Sequence, residues 1–192
     1  MNTTDAVVLV FGDRRPPRPL RGLPVAQSPD EPCRRLIVVG SDADLATVLT
    51  RLLRTDRLGV EVAHVRRRWQ ARRALRGSAG RVPLIRDDAG TVVVGAAYWL
   101  GHPGGQPVHG EAVVDDTVLF DGDAPRVRIE PTATMPGLRA AVSGAGRRRW
   151  VAGRAAQLGT TGAVVVRDGV PAVRPVKRST FYRHTEGWLR VR

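Results

Sequence analysis

Hydrophobic positions in the first third of the chain predict three strands, with one helical pattern between the second and the third. The continuous apolar run Ala6–Phe11 and the run Arg35–Val39 are typical of buried strands in a parallel sheet, and Val60–Val65 is predicted to be the third strand. Between the last two runs, four apolar residues fall at i, i+3, i+4 and i+7 of a helix: Leu45, Val48, Leu49 and Leu52. The strand–helix–strand order predicts a βαβ unit with a right-handed crossover.

Polar residues mark both ends of this predicted helix. Ser41-Asp42 offers an N-cap, and Asp42 and Asp44 lie in the first turn, where the helix dipole favours negative charge. Arg51 and Arg54 lie in the last turn, and we expect Gly59 to break the helix.

Two segments around this unit are rich in arginine. Gly12–Pro32 contains six prolines, which exclude a helix or central strand, so we expect an extended surface connection. Arg66–Arg76 is predicted to be a short basic helix closed by Gly77. Its narrow apolar side would hold Val65, Trp69, Ala71, Ala74 and Leu75.

Beyond Gly80 the pattern changes to short apolar runs separated by Gly, Pro and Asp, with turn signals every ~8–12 residues. This pattern predicts an antiparallel sandwich or meander, and Arg167–Val170 is predicted to form a type I′ hairpin turn around Asp-Gly. We therefore expect an α/β N-terminal lobe over residues 1–80, with the Pro/Arg-rich insert at 12–32, followed by a β-rich lobe over residues 81–192. Eight runs are its predicted strands: Val82–Ile85, Val92–Ala97, Val113–Val114, Val118–Phe120, Val127–Ile129, Leu138–Val142, Ala163–Val166 and Trp188–Val191.

Composition narrows the class of protein. The 192 residues are 42% hydrophobic, which is enough for a real core, and no apolar run approaches the ~18–20 residues of a membrane span. The start of the chain lacks a basic leader and a cleavage site, and the single cysteine, Cys33, excludes a disulfide framework. We expect a soluble cytoplasmic protein.

The charge is strongly positive and evenly spread. Lys and Arg number 31 against 18 Asp and Glu, a formal net charge of +13, and Lys177 is the only lysine. Arginine suits phosphate partners because it pairs bidentately, although GC-rich codon usage would also replace lysine with arginine. Residues 1–90 carry 17 basic and 10 acidic residues, and residues 91–192 carry 14 and 8, so folding must assemble any basic surface.

The most informative segment is Leu36–Leu49 (LIVVGSDADLATVL), in which a buried strand, a tight turn and a capped helix place N–H groups where they could cradle a phosphate. It resembles the nucleotide loop of the diacylglycerol kinase, sphingosine kinase and NAD kinase superfamily, whose usual pattern is Gly-Gly-Asp-Gly-Thr. The five positions here are Gly40, Ser41, Asp42, Ala43 and Asp44, so the first Gly and the central Asp match. The order of lobes also resembles that superfamily, an α/β nucleotide lobe followed by a β-sandwich.

The resemblance implies an ATP and Mg²⁺ site at Gly40, Ser41, Asp42 and Asp44, but the departures from the pattern argue against activity. Ser41 and Ala43 carry Cβ atoms that would obstruct a close approach of phosphate. Asp44 adds a carboxylate that repels a triphosphate unless a metal intervenes. We expect a catalytically degenerate protein. Two alternatives stay open: the two aspartates only cap the helix, or the chain is an active ATP-dependent kinase of a lipid or small molecule.

Arginines replace the second glycine-containing loop of the superfamily. We expect six of them to bind an anion: Arg66, Arg67, Arg68, Arg72, Arg73 and Arg76. Arg147–Arg149 with Trp150, and the basic and aromatic residues of Arg174–Trp188, form two further patches. Arginine interleaved with aromatic residues suits a phosphate-bearing ligand, single-stranded nucleic acid or an anionic membrane surface. The alternative is a solvated basic face with its tryptophans in the core.

No other motif in the sequence indicates a catalytic or metal-binding site. The sequence lacks a G-x-x-x-x-G-K-[ST] loop, a G-x-S-x-G elbow and an H-E-x-x-H pair. Gly144-Ala145-Gly146 indicates a loop. His102, His109 and Glu111 match no metal-ligand spacing, so we expect no metal there, and Cys33 has no recognisable catalytic partner.

Overall fold

The computed structural model describes residues 4–101, 106–144 and 149–192, which fold as two compact units. One unit comprises the chain up to Val82 together with Glu186–Arg192, and the other comprises Pro83–Thr185. The elements, in chain order, are β1 (Thr4–Val10), β2 (Cys33–Val39), α1 (Asp42–Arg54), β3 (Glu61–Val65), α2 (Ala71–Arg76), β4 (Ala79–Val82), β5 (Ile85–Asp87), β6 (Val92–Val93), β7 (Ala97–Leu100), β8 (Val108–Val114), β9 (Thr117–Ala124), β10 (Arg126–Pro131), β11 (Leu138–Val142), β12 (Val151–Gly153), β13 (Ala155–Arg167), β14 (Val170–Pro171), β15 (Val176–Arg183) and β16 (Trp188–Val191).

The first unit contains a five-stranded sheet in the order β1-β2-β3-β16-β4. Every neighbouring pair is parallel except β16 and β4. The predicted βαβ unit is confirmed, since α1 connects β2 to β3 and its apolar residues at the predicted helical spacing are buried. No helix within the described residues combines the length and hydrophobicity that crossing a bilayer requires.

The proline-rich segment is more than an extended surface connection. It contains a 3₁₀ turn at Arg18–Leu20, and Leu20 is fully buried in the cluster that contains Ala71 and Ala74 of α2. The carboxylate of Asp30 pairs with Arg51 of α1 at 2.7 Å. Proline prevents regular hydrogen bonding but does not prevent apolar side chains from packing, so the segment forms part of the core.

The predicted helix at Arg66–Arg76 is only partly helical. A 3₁₀ turn at Arg68–Gln70 leads into α2, and the N–H groups of Arg66 and Arg67 donate to the side-chain oxygen of Gln70, both at 2.8 Å. The expected apolar side is wrong at Trp69, which is 69% exposed. Its position before α2 directs it away from the face that Ala71 and Ala74 bury.

The last strand differs from the expectation that it would join the β-rich lobe. β16 pairs in parallel with β3 and antiparallel with β4, and Val191 packs in the core of the first unit. This pairing adds Glu186, Arg190 and Arg192 to the first unit, which then holds 18 arginines and 9 acidic residues, a net charge of +9. The second unit holds 13 basic and 9 acidic residues, a net charge of +4. The even spread along the sequence is therefore uneven in the fold.

The second unit is rich in antiparallel strands, as predicted. Its main path is β12-β11-β10-β7-β13-β15-β5-β6, and β13 is the longest strand. The first half of β13 pairs with β8 and β15, and its second half pairs with β7 and β14, with an irregularity between Gly159 and Ala163. The predicted hairpin turn is confirmed, because Asp168 and Gly169 both have positive φ.

A buried guanidinium connects the sheet of the first unit to α2. Arg35 of β2 is 6% exposed and donates from Nε to Glu61 of β3 at 2.7 Å. Its terminal nitrogens donate to the backbone carbonyls of Ala74, Leu75 and Gly77 at 3.1, 2.7 and 2.9 Å. Arg35 thus supplies donors to the last carbonyls of α2, which the helix leaves unsatisfied.

Replacing Arg35 should strongly destabilise the protein. Arg35→Ala leaves Oε2 of Glu61 and three backbone carbonyls without their donor, and removal of one partner of a buried pair costs about 3–5 kcal/mol. Urea unfolding measures the loss. Arg34→Ala is the matched control, because Arg34 also pairs with Glu61 but is half exposed, and exposed pairs contribute at most about 1 kcal/mol. Equal stability of the two variants would contradict this role of Arg35.

Candidate functional site at the amino terminus of the first helix

The loop singled out by the sequence lies where two parallel strands end. β2 ends at Val39 and β3 at Val65, and the N–H of Gly40 donates to the carbonyl of Val65 at 3.3 Å. The first helix begins two residues later, at Asp42. The carboxyl edge of a parallel sheet, next to a helix amino terminus, is the place where α/β folds bind ligands.

Ser41 and Asp44 close this helix terminus on each other as a capping box. The Ser41 hydroxyl accepts the N–H of Asp44 at 3.2 Å. In return, Oδ2 of Asp44 accepts the N–H of Ser41 at 2.7 Å and the Ser41 hydroxyl at 2.8 Å. This reciprocal arrangement satisfies donors that an anionic ligand would otherwise use.

Asp44 also leaves little room for a side chain at position 40. A Cβ on Gly40 would lie 2.7 Å from Oδ2 and 2.8 Å from Cβ of Asp44, closer than packed atoms allow. Of the N–H groups from Gly40 to Asp44, those of Asp42 and Ala43 have no hydrogen-bond partner among the described residues. The Asp44 carboxylate therefore occupies the N–H of Ser41, whereas the N–H groups of Asp42 and Ala43 stay without a partner in this part of the structure.

Positive side chains surround the two aspartates. Arg66 lies 3.1 Å from Oδ2 of Asp42, and Arg14, from the proline-rich segment, lies 3.8 Å from Oδ2 of Asp44. Nδ1 of His64 lies 3.8 Å from Oδ1 of Asp42. The sequence analysis did not find Arg14 or His64 because neither belongs to a motif, and both reach the loop only through folding.

His64 supports the loop from β3. Its Nε2 lies 3.2 Å from the carbonyl of Gly40 and 3.1 Å from that of Ser41, so the proton on Nε2 is donated to these oxygens. Burial lowers the pKa of His64, and it outweighs the two carbonyls and the charge of Asp42, which act in the opposite direction. The ring is therefore neutral and acts as a hydrogen-bond donor near pH 7.

Only one of the six predicted anion-binding arginines reaches this loop. Arg66 contacts Asp42, whereas five others are exposed and lie within 4.0 Å of no carboxylate in the described part of the chain: Arg67, Arg68, Arg72, Arg73 and Arg76. A seventh arginine, Arg190 of β16, was not predicted to belong to this group. Its pKa is lowered, first by partial burial of its guanidinium and then by the charges of Arg192 and Arg73, while Asp42 raises it. The charged groups of Arg190, Arg192, Arg73 and Asp42 are therefore close enough to influence one another.

The remaining predicted patches are less open. Arg147 and Arg148 lie outside the described residues, and Trp150 is covered by Arg139, whose guanidinium carbon lies 4.4 Å from the ring centroid. Tyr182 is covered by Arg86 at 4.7 Å. Trp150 and Tyr182 are therefore engaged within the second unit.

The histidines, the glycine loop and the cysteine considered from the sequence form no further site in the described residues. Nδ1 of His109 lies 2.8 Å from Oδ1 of Asp123, and His102 and most of the Gly144–Gly146 loop lie outside the described residues. No group of three or more His, Cys, Asp or Glu residues in the described ranges could hold a metal ion. Cys33 is buried, and burial is the main cause that raises the pKa of its thiol.

No protein-family model and no curated protein matches the chain. Solved structures do match it. An NAD kinase from Archaeoglobus fulgidus in complex with ATP is 12% identical with a TM-score of 0.66, over 98% of this chain and 94% of that one. A Bacillus anthracis str. Sterne protein provisionally described as a diacylglycerol kinase is 10% identical with a TM-score of 0.70, over 97% of each chain. Yeast NADH kinase complexed with NADH is 9% identical with a TM-score of 0.61, over 99% of this chain and 84% of that one. The chain thus shares the fold of these NAD kinase, diacylglycerol kinase-like and NADH kinase structures.

Stability should fall as the pH is lowered through the ordinary pKa of histidine. The folded state lowers the pKa of His64, so the unfolded chain binds the proton first as the pH falls. The contribution of His64 to the free energy of unfolding is therefore complete only above about pH 6.5. His64→Gln keeps a donor for the two carbonyls but does not titrate. We expect urea midpoints to fall more in the wild type than in His64→Gln between about pH 7.5 and 5.5. Parallel pH profiles would contradict the assignment.

Proposed function

We propose that this chain is a catalytically degenerate relative of the kinases whose fold it shares, and that it binds a phosphate-bearing anion through arginine side chains. The observation that carries the first half of the proposal is the contact between the Asp44 carboxylate and the Ser41 N–H at 2.7 Å. The second half rests on the exposed arginines between β3 and the end of α2.

The position of Asp44 supports the loss of nucleotide binding in two ways. Its carboxylate accepts hydrogen bonds that the oxygen of a phosphate would need, and it adds negative charge at the helix amino terminus. Arg14 and Arg66 lie against the aspartates of the loop, so they compensate internal carboxylates. A triphosphate would have to displace Asp44 and compete for the same cations.

The exposed arginines support the anion-binding half. In the described ranges, no carboxylate lies within 4.0 Å of the five guanidinium groups between residues 67 and 76. The positive charge of Arg73 also lowers the pKa of Arg190. Guanidinium groups bind phosphate oxygens bidentately and are only weakly hydrated. Unpaired arginines beside a closed nucleotide loop favour an anionic partner at the surface.

The alternative of an active ATP-dependent kinase rests on the relatives. The archaeal relative holds ATP and the yeast relative holds NADH. Identities of 9–12% carry the fold to this chain and leave its activity to be measured. No contact in the loop favours this alternative.

The nucleotide half of the proposal predicts opposite behaviour for two aspartate variants. The wild type should show no Mg·ATP-dependent thermal shift and no ATP turnover. Asp44→Ala frees the Ser41 N–H and should bind Mg·ATP more tightly than Asp42→Ala, which removes the same charge without opening the capping box. Isothermal titration compares the variants. Saturable Mg·ATP binding by the wild type that is lost in Asp42→Ala would overturn the proposal.

If exposed arginines bind a phosphate-bearing anion, the protein should bind inorganic tripolyphosphate, with an affinity that falls as salt is added. The variant Arg67→Gln/Arg68→Gln/Arg72→Gln should lose this binding. Arg174→Gln/Lys177→Gln/Arg178→Gln is the matched control, since it removes three exposed positive charges from the second unit. Equal losses in the two variants would reduce the effect to net charge and contradict the site.

A further inference from the structure

Trp69 is the one aromatic residue in the described ranges whose side chain is exposed. Its exposure is 69%, whereas Trp99 and Trp188 are buried, and the other aromatic residues are partly or fully covered. Burial of such a ring against a partner is favourable, because it removes apolar surface from water. It belongs to the 3₁₀ turn at Arg68–Gln70, directly before α2.

The surroundings of Trp69 are almost purely positive. Six exposed arginines lie within seven residues of it in sequence: Arg66, Arg67, Arg68, Arg72, Arg73 and Arg76. The buried residues of α2 are Ala71 and Ala74, which pack in the cluster that contains Leu20. The small alanines face the core, and the outward side of the segment consists of the tryptophan and the arginines.

The C-terminal strand extends this surface. β16 pairs with β3, which leads into Arg66, and with β4, which follows α2, so Arg190 and Arg192 flank the basic segment. The N–H of Arg192 donates to the carbonyl of Ser78 at 2.9 Å. Gly77 permits this approach, because a Cβ there would collide with the carbonyl oxygen of Arg192. We call Trp69, the six arginines and these two C-terminal arginines the Trp69 surface.

We propose that the Trp69 surface docks the protein on a bilayer containing anionic phospholipid, with Trp69 inserted at headgroup level. The proposal deepens the proposed function, on whose anion binding it rests. Arginine guanidinium groups match lipid phosphates, and tryptophan favours the membrane–water interface. Each arginine near an anionic membrane contributes about 1 kcal/mol, so several of them with one aromatic anchor provide stable yet reversible binding.

Single-stranded nucleic acid is the other partner that arginines and tryptophan can bind, and the structure favours it less. Nucleic-acid grooves stack successive bases on several aromatic residues along a track. Trp69 is alone on this surface, and the described aromatic residues of the second unit are buried or covered by neighbours such as Arg86 and Arg139. One ring among arginines matches an interfacial anchor.

The test compares three proteins on three probes. Wild type, Trp69→Ala and Arg67→Gln/Arg68→Gln/Arg72→Gln are sedimented with phosphatidylcholine vesicles that contain or lack phosphatidylglycerol. The same proteins are titrated with tripolyphosphate and with oligo(dT). We expect the wild type to bind only the anionic vesicles, the arginine variant to lose about a hundredfold in affinity, and Trp69→Ala to lose several-fold. Trp69→Ala should bind tripolyphosphate like the wild type, because the ring contributes only to the bilayer.

The remaining outcomes separate the two proposals. Tripolyphosphate binding without vesicle binding overturns membrane docking and leaves the anion site intact. Failure of both probes overturns the anion site as well. Oligo(dT) binding that Trp69→Ala weakens, without vesicle binding, replaces the bilayer with nucleic acid. Equal vesicle binding by the wild type and Trp69→Ala overturns the anchoring role of Trp69. The control Arg174→Gln/Lys177→Gln/Arg178→Gln should sediment like the wild type.

Discussion

The contact of the Asp44 carboxylate with the Ser41 backbone N–H determines how the rest of the site is arranged. Asp44 leaves little room for a side chain at position 40, because a Cβ there would meet both Oδ2 and Cβ of Asp44. The carboxylate occupies the N–H of Ser41, and Arg14 lies near its added negative charge. A helix amino terminus favours an anion, and here the chain supplies a carboxylate of its own.

A second constraint is the contact of Arg35 with the end of α2, which positions the arginine-rich segment. The buried guanidinium of Arg35 holds the carboxyl end of α2 through Ala74, Leu75 and Gly77, and so it orients the segment that carries Trp69. The pairing of β16 then brings Arg190 to the same region. The capping box at the start of α1 and the exposed arginines between β3 and the end of α2 thus lie in the same unit. Under the proposed function, these arginine side chains recognise an anion.

The local elements could be predicted from the sequence because short-range rules govern them. The helical spacing of the leucines and valines and the cap at Ser41 identified α1, and Asp-Gly identified the hairpin after β13. The residues of the candidate loop followed from their position between a strand and this helix. The fold class followed from the order of these elements, and the matching solved structures share it.

Long-range pairings could not be predicted. Nothing in the run Trp188–Val191 indicates that it pairs with β3 at the other end of the chain. Arg35 looks like any other arginine at the start of a strand, and only the packed structure shows it buried against α2. The exposure of Trp69 also depends on the 3₁₀ turn that precedes α2. A prediction that extends the helix back to Arg66 puts the ring on the wrong side. These features depend on contacts between residues far apart in sequence.

The central claim is that the loop at the start of α1 is closed by its own carboxylate. Amide chemical shifts of residues 40–45, followed by NMR during titration with Mg·ATP, test it most directly. The account predicts that these amides do not shift in the wild type and that they do shift in Asp44→Ala. Saturable shifts of the Gly40 and Ser41 amides in the wild type would contradict it.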